Sequence, residues 1–234
     1  MKFLLPVLII ALVLLLNRTY AYYYDYIKDH FQKAPAQTIL SEKDENSSFI
    51  ALGDSLMVGV GTGEGDESLG LLLYKAKIGN KALKYVNLAI PGSTIKQVLK
   101  EQLPRALQSR PKIVWLLAGI NDVHDFTPKK EFEKDYRLIV DGLIASGGQI
   151  TLINIPYLGS SSILLPPWNL FMDFQTKQYN AIIDKIAREK GLKMADLYKL
   201  SREKFIDSSD LYSGDLFHPS GRGYILWSDY INAN

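Results

Sequence analysis

Five short apolar runs, at residues 48–52, 83–88, 111–118, 149–154 and 192–195, are separated by segments whose apolar residues recur at helical spacing. This alternation restricts the fold more than any other feature of the chain. Strand–helix–strand units build parallel pairs, and repeating them gives a doubly wound α/β sheet with helices on both faces. The helical stripes are explicit. Ile95, Val98, Leu99 and Leu103 share one face, and Phe132, Tyr136, Ile139, Val140, Leu143 and Ile144 share another. Ile182, Ile183, Ile186 and Ala187 mark a further helix, and Tyr224, Trp227 and Tyr230 a last one. All read as core-facing stripes.

The N-terminus follows a different pattern. Phe3 to Leu16 are fourteen uncharged residues behind Lys2, as in a signal peptide or a short membrane anchor. Fourteen helical residues cover about 21 Å, less than the roughly 30 Å of a hydrocarbon core, unless Met1 and the tyrosine-rich flank extend them. Thr19-Tyr20-Ala21 loosely resembles a cleavage site, whereas Tyr22-Tyr23-Tyr24 resembles an interfacial aromatic belt. Retention is favoured: residues 1–24 are the anchor, 25–46 a tether with some helical character, and 47–234 one folded domain. The expected location is the cell membrane with the domain outside, the alternative being secretion after cleavage. Lys2 alone gives this orientation weak positive-inside support.

Composition supports one core, since 47% of the chain is hydrophobic and 22% charged. There is no cysteine, which excludes disulfides, thiolate metal ligands and a lipidated cysteine. Removing residues 1–24 takes away Lys2 and Arg18 and no acidic residue, balancing the domain's charges. That balance offers no electrostatic basis for a nucleic-acid partner.

In an open parallel sheet the ligand crevice lies beyond the carboxyl ends of the strands. The first apolar run ends directly at Gly53-Asp54-Ser55-Leu56, so Ser55 is expected to enter that crevice. A serine hydroxyl needs a base to remove its proton and a third group to orient the base. Asp215-Leu216-Phe217-His218 supplies both, because a spacing of three puts carboxylate and imidazole on one side of a turn. His218 also stands beside a helix start at Pro219-Ser220, which on its own suits a structural histidine somewhat better. Donors for a developing oxyanion are available at Gly92, in the loop Asn87 to Ser93, and at Asn121, after the most apolar run. Each alone also reads as an ordinary loop residue.

These four blocks together resemble the SGNH, or GDSL-type, hydrolases over about residues 48–230. The resemblance implies a flavodoxin-like three-layer α/β/α sandwich with a central parallel sheet. It also implies hydrolysis of carboxylic esters or thioesters through an acyl-serine intermediate, with no metal and no cofactor. Ser55 matches the nucleophile, Asp215 and His218 the acid and base, and Gly92, Asn121 and the Ser55 N–H the oxyanion hole. Met57 stands where the Gly-x-Ser-x-Gly elbow of other hydrolases has its last glycine. The implied substrates are lipid-like or small acyl esters. A surface carbohydrate O-deacetylase, an acyltransferase and a non-catalytic binding module on the same fold remain alternatives.

Other features carry less. Gly59-Val60-Gly61-Thr62-Gly63-Glu64-Gly65 lacks the third glycine of a dinucleotide fingerprint and reads as a flexible rim beside Ser55. His124 reads as a surface residue or a substrate contact, and His30 as solvated in the tether. Tyr157 and Trp168, in the aromatic stretch Pro156 to Phe174, are candidates for substrate binding, for a membrane-facing lip or for core packing.

Overall fold

The computed structural model describes residues 4–29, 39–40, 48–63, 68–78, 83–160, 164, 166–206 and 208–233. Helix α1 (Leu4–Asp29) precedes a short strand β1 (Ile39–Leu40) and then β2 (Ser48–Gly53). Helices α2 (Ser55–Val58) and α3 (Leu69–Ile78) lead to β3 (Lys84–Asn87). One continuous helical segment follows: α4 (Ile95–Gln97), a π turn at Val98–Gln102, and α5 (Leu103–Gln108). Strand β4 (Pro111–Leu117), helices α6 (Ile120–His124) and α7 (Lys129–Ala145), and β5 (Gln149–Ile153) come next. The chain ends with α8 (Trp168–Lys190), β6 (Lys193–Ala195), α9 (Leu197–Lys204) and α10 (Gly221–Ala233).

The sheet order is β1-β3-β2-β4-β5-β6, with β2 to β6 parallel and β1 antiparallel to β3. Without the edge strand this is the flavodoxin-like order, and the chain reverses direction across the sheet at β2. Every residue of β2 is buried, as is every residue of β4 except Lys112. A central parallel strand is covered on both faces, so its sequence is an unbroken apolar run. Helix α3 packs with α10 on one side, while α4, α5 and α8 pack with α7 on the other.

All five apolar runs are strands within a residue or two of their expected bounds. Four stripe positions differ, Leu99 and Ile182 being only half-buried against the core. Ile144 is exposed, and Tyr230 is only half-buried against the core, because the last turn of α7 and the outer edge of α10 clear the sheet. Helix α1 runs five residues beyond position 24, and Ile39–Leu40, within the expected tether, pairs with Tyr85 and Val86 of β3. His30 lies outside the described residues.

Candidate active site

Gly53 ends β2 in register with Leu117, the last residue of β4. The loops after these two strands therefore leave the sheet side by side. Asp54 caps α2 by accepting the Leu56 N–H at 3.0 Å, and the next residue, Ser55, opens the helix at the crevice.

His218 Nε2 lies 2.9 Å from Ser55 Oγ, and its Nδ1 lies 2.6 Å from Asp215 Oδ2. Asp215 Oδ1 accepts three further hydrogen bonds, from Ser213 Oγ at 2.8 Å and from the N–H groups of Phe217 at 2.9 Å and His218 at 2.8 Å. Leu216 reaches the left-handed region, φ +59°, which turns both N–H groups onto one oxygen. Burial alone would raise the Asp215 pKa, but the His218 ring and these backbone donors outweigh it and hold the carboxyl below its usual range. An ionised Asp215 accepts the Nδ1 proton, so Nε2 is left as the acceptor for the Ser55 hydroxyl.

The three loops that meet here are tied together. Gln102, fully buried in the π turn, accepts the Gly53 N–H at 2.9 Å and donates to the Gly53 carbonyl at 2.8 Å. Its Nε2 also lies 3.3 Å from Ser93 Oγ. Asn121 Nδ2 donates to the Ser93 carbonyl at 3.0 Å, and Asp122 Oδ2 accepts the Ile95 N–H at 2.8 Å. Gly92 adopts φ +79°, with no atom within 4 Å of where a Cβ would stand, so this turn opens on the crevice. The structure thus brings together Ser55, His218, Asp215, Asn121 and the Gly92 loop. Gln102 had no signal at the level of sequence spacing.

The glycine-rich segment is packed rather than a rim over its described part. Gly59 ends α2 in the left-handed conformation, Val60 and Thr62 are buried, and the Val60 carbonyl accepts the Tyr224 hydroxyl at 2.8 Å. A Cβ on Gly61 would meet Pro219 O at 2.5 Å, so this loop rests directly against the His218 segment. His124 is half-buried, its ring 5.5 Å from that of Phe217, which corrects the surface reading. Desolvation, aided by the nearby His218, lowers its pKa to about 4. Tyr157 lines a narrow apolar cavity with Leu56, Ile120, Phe217, Pro219 and Trp227, which include the chain neighbours of Ser55 and His218 but neither of those two residues. Trp168 contacts helix α1, with Nε1 donating to Thr19 Oγ1 at 3.1 Å and the rings of Trp168 and Tyr20 5.1 Å apart.

Residues 51–226 match the GDSL-like lipase/acylhydrolase family. The chain belongs to that family. As a GDSL-like acylhydrolase it is a carboxylic ester hydrolase. Among curated proteins no sequence matches it. Its structure resembles that of the acetyl xylan esterase AlAXEase, with a TM-score of 0.62, 20% identity, and coverage of 80% of this chain and 98% of that one. It also resembles the psychrotrophic esterase EstA from Pseudoalteromonas sp., TM-score 0.61, 21% identity, covering 80% and 95%. The lipase/acylhydrolase from Enterococcus faecalis gives a TM-score of 0.60 at 21% identity, covering 80% and 94%. At these identities the likeness is one of fold.

A carboxyl pair lies beneath the site of this acylhydrolase. Asp54 and Asp122 are both fully buried, and Asp54 Oδ2 and Asp122 Oδ1 have no hydrogen-bond partner among the described residues. Burial first, and then the Asp122 charge, raise the Asp54 pKa to about 7, and burial raises that of Asp122 to about 6. A carboxyl raised in the folded state stabilises the protein below its unfolded pKa of roughly 4, and that stability is lost as pH rises through the folded value. Asp54→Asn keeps the cap acceptor and cannot ionise. Its melting temperature relative to wild type should therefore climb between pH 4.5 and 8, with an upper bound of roughly 4 kcal/mol. Thermal melts across that range check this; a pH-independent difference would mean that Asp54 does not carry the titration.

Proposed function

We propose that the protein hydrolyses acyl esters through an acyl-serine intermediate, close to the surface of the membrane that holds α1. The observation that carries this reading is the unbroken chain from Ser55 Oγ through His218 to Asp215, at 2.9 and 2.6 Å. His218 Nε2 takes the Ser55 proton as Oγ attacks the carbonyl carbon. The oxyanion is met by the N–H groups of Ser55 and Gly92 and by the Asn121 amide hydrogen not engaged with Ser93. Protonated His218 then gives its proton to the departing alkoxide, leaving acyl-Ser55. A water, deprotonated by the same nitrogen, attacks the acyl carbon, and the carboxylic acid leaves as Ser55 recovers its proton. Asp215 holds the ring and offsets its charge throughout.

The acyl group is assigned to the cavity lined by Leu56, Ile120, Tyr157 and Trp227, whose volume of about 20 Å³ is of the order of one water. That size favours a short acyl chain. One similar structure is an acetyl xylan esterase, and an acetyl ester on a surface polysaccharide is the second reading that this cavity favours. The anchor reading rests on α1. Its Leu5–Tyr23 stretch is 19 residues with a mean hydropathy of 1.7 and no residue fully buried, and is about 28 Å long. The tyrosine-rich flank extends the span to the thickness of a hydrocarbon core. The test is hydrolysis of p-nitrophenyl esters, acetate through palmitate, by the detergent-solubilised full chain. Turnover should be highest on the shortest chains and fall steadily. A long-chain optimum would overturn the cavity assignment, and no turnover on any ester by the folded protein would overturn the hydrolase mechanism.

A further inference from the structure

Four large apolar side chains stand exposed near the start of α8 and the end of α6: Leu170 at 65%, Phe174 at 59%, Phe126 at 47% and Phe171 at 38%. They are not scattered. The Phe126 and Phe171 rings are 5.9 Å apart, and Phe171 lies 6.2 Å from Trp168. Trp168 in turn meets Tyr20 and Thr19 of α1, and the Tyr20 hydroxyl reaches the His124 carbonyl at 3.4 Å. A contiguous exposed apolar patch on a soluble surface marks a contact with something apolar.

The position of Thr19 and Tyr20 identifies the occupant. They lie three to four residues inside the end of the Leu5–Tyr23 span, hence about 5 Å below its upper limit. A domain side chain that touches α1 at that height is itself at the boundary between headgroups and acyl chains, where Trp and Tyr concentrate. We infer that Phe126, Leu170, Phe171 and Phe174 form a second membrane contact, which rests the domain on the bilayer with the crevice beside the lipid surface. The inference rests on the anchor reading of α1. The link to the crevice is short. The ring of Phe217 lies 5.5 Å from that of His124 and 5.1 Å from that of His218. An ester held in the interface therefore reaches Ser55 by lateral movement, without first entering water.

The absence of native cysteine lets each position carry a unique label. Leu170→Cys, Phe174→Cys, Leu8→Cys and Arg188→Cys variants of the full chain, each bearing bimane, would be reconstituted in phosphatidylcholine–phosphatidylglycerol vesicles containing a shallow nitroxide phosphatidylcholine. Arg188 lies on the same helix about 27 Å from Leu170 and serves as the distal control. The expected result is loss of half or more of the emission at Leu170, Phe174 and Leu8, and none at Arg188. Quenching at Leu8 but not at Leu170 and Phe174 would overturn the second contact and leave the anchor standing. Blue-shifted but unquenched emission at Leu170 and Phe174 would assign the patch to a protein partner or a second copy, and likewise overturn it. Absence of quenching at Leu8 would overturn the anchor, and with it this inference.

Discussion

Ser55→Ala should lose at least about 10⁴-fold in turnover of p-nitrophenyl acetate while its melting temperature stays within a few degrees of wild type. The two halves of this expectation have separate causes. Ser55 Oγ is the one atom able to form the acyl intermediate between His218 and the Gly92–Asn121 loops, and removing it leaves the donors and the base in place. What remains is water attack assisted by the oxyanion donors, which in other serine hydrolases retains a small fraction of the rate. The structural loss is one hydrogen bond to His218 Nε2, worth on the order of 1 kcal/mol. Asp215 still receives the Nδ1–H, the Ser213 hydroxyl and two backbone donors, so the imidazole keeps its orientation. Turnover, circular dichroism and thermal melts on the same preparations decide the matter. A folded variant that keeps more than about one per cent of wild-type turnover would remove Ser55 from the nucleophile's role.

The parts of the molecule legible in its sequence share a physical character. Strands β2 and β4 are buried on both faces, so their apolar runs announce them, and the turn after each is marked by residues with distinctive chemistry, Ser55 and Asn121. Asp215 and His218 were legible because they stand three positions apart on one turn. Gln102 was not. It is a polar residue in an apolar stripe, and the stripe read as a regular helix, whereas the π turn at Val98–Gln102 turns its amide inward to clamp Gly53. Trp168 was legible as an aromatic of consequence but not as a contact of α1, because the two lie 149 residues apart. The packing of Gly59 to Thr62 was hidden for the same reason: its partners, Ser213, Pro219 and Tyr224, come from the other end of the chain.

The glycine that opens the Gly53-Asp54-Ser55-Leu56 block carries the largest stability effect. Gly53→Ala should lower stability by about 3 kcal/mol or more, a fall of roughly 10 °C in melting temperature, and abolish turnover. A Cβ built on Gly53 lies 1.9 Å from the Leu117 carbonyl oxygen and 2.9 Å from its carbon, and the residue has φ +150°. The obstacle is backbone of the neighbouring strand, which cannot rotate away as a side chain would. Relief requires β2 and β4 to part at their carboxyl ends, where Gly53 is also held by both hydrogen bonds of the Gln102 amide. The same movement separates Ser55 from Asn121, so activity falls with stability. Gly147→Ala isolates the backbone term, because Gly147 has φ +77° but nothing within 4 Å of an added Cβ. That variant should lose only about 1 kcal/mol and keep its turnover. Equal destabilisation of the two variants would mean that conformational strain, and not the contact with Leu117, fixes glycine at position 53. A Gly53→Ala protein that melts normally would show that the β2–β4 junction yields far more readily than its packing implies.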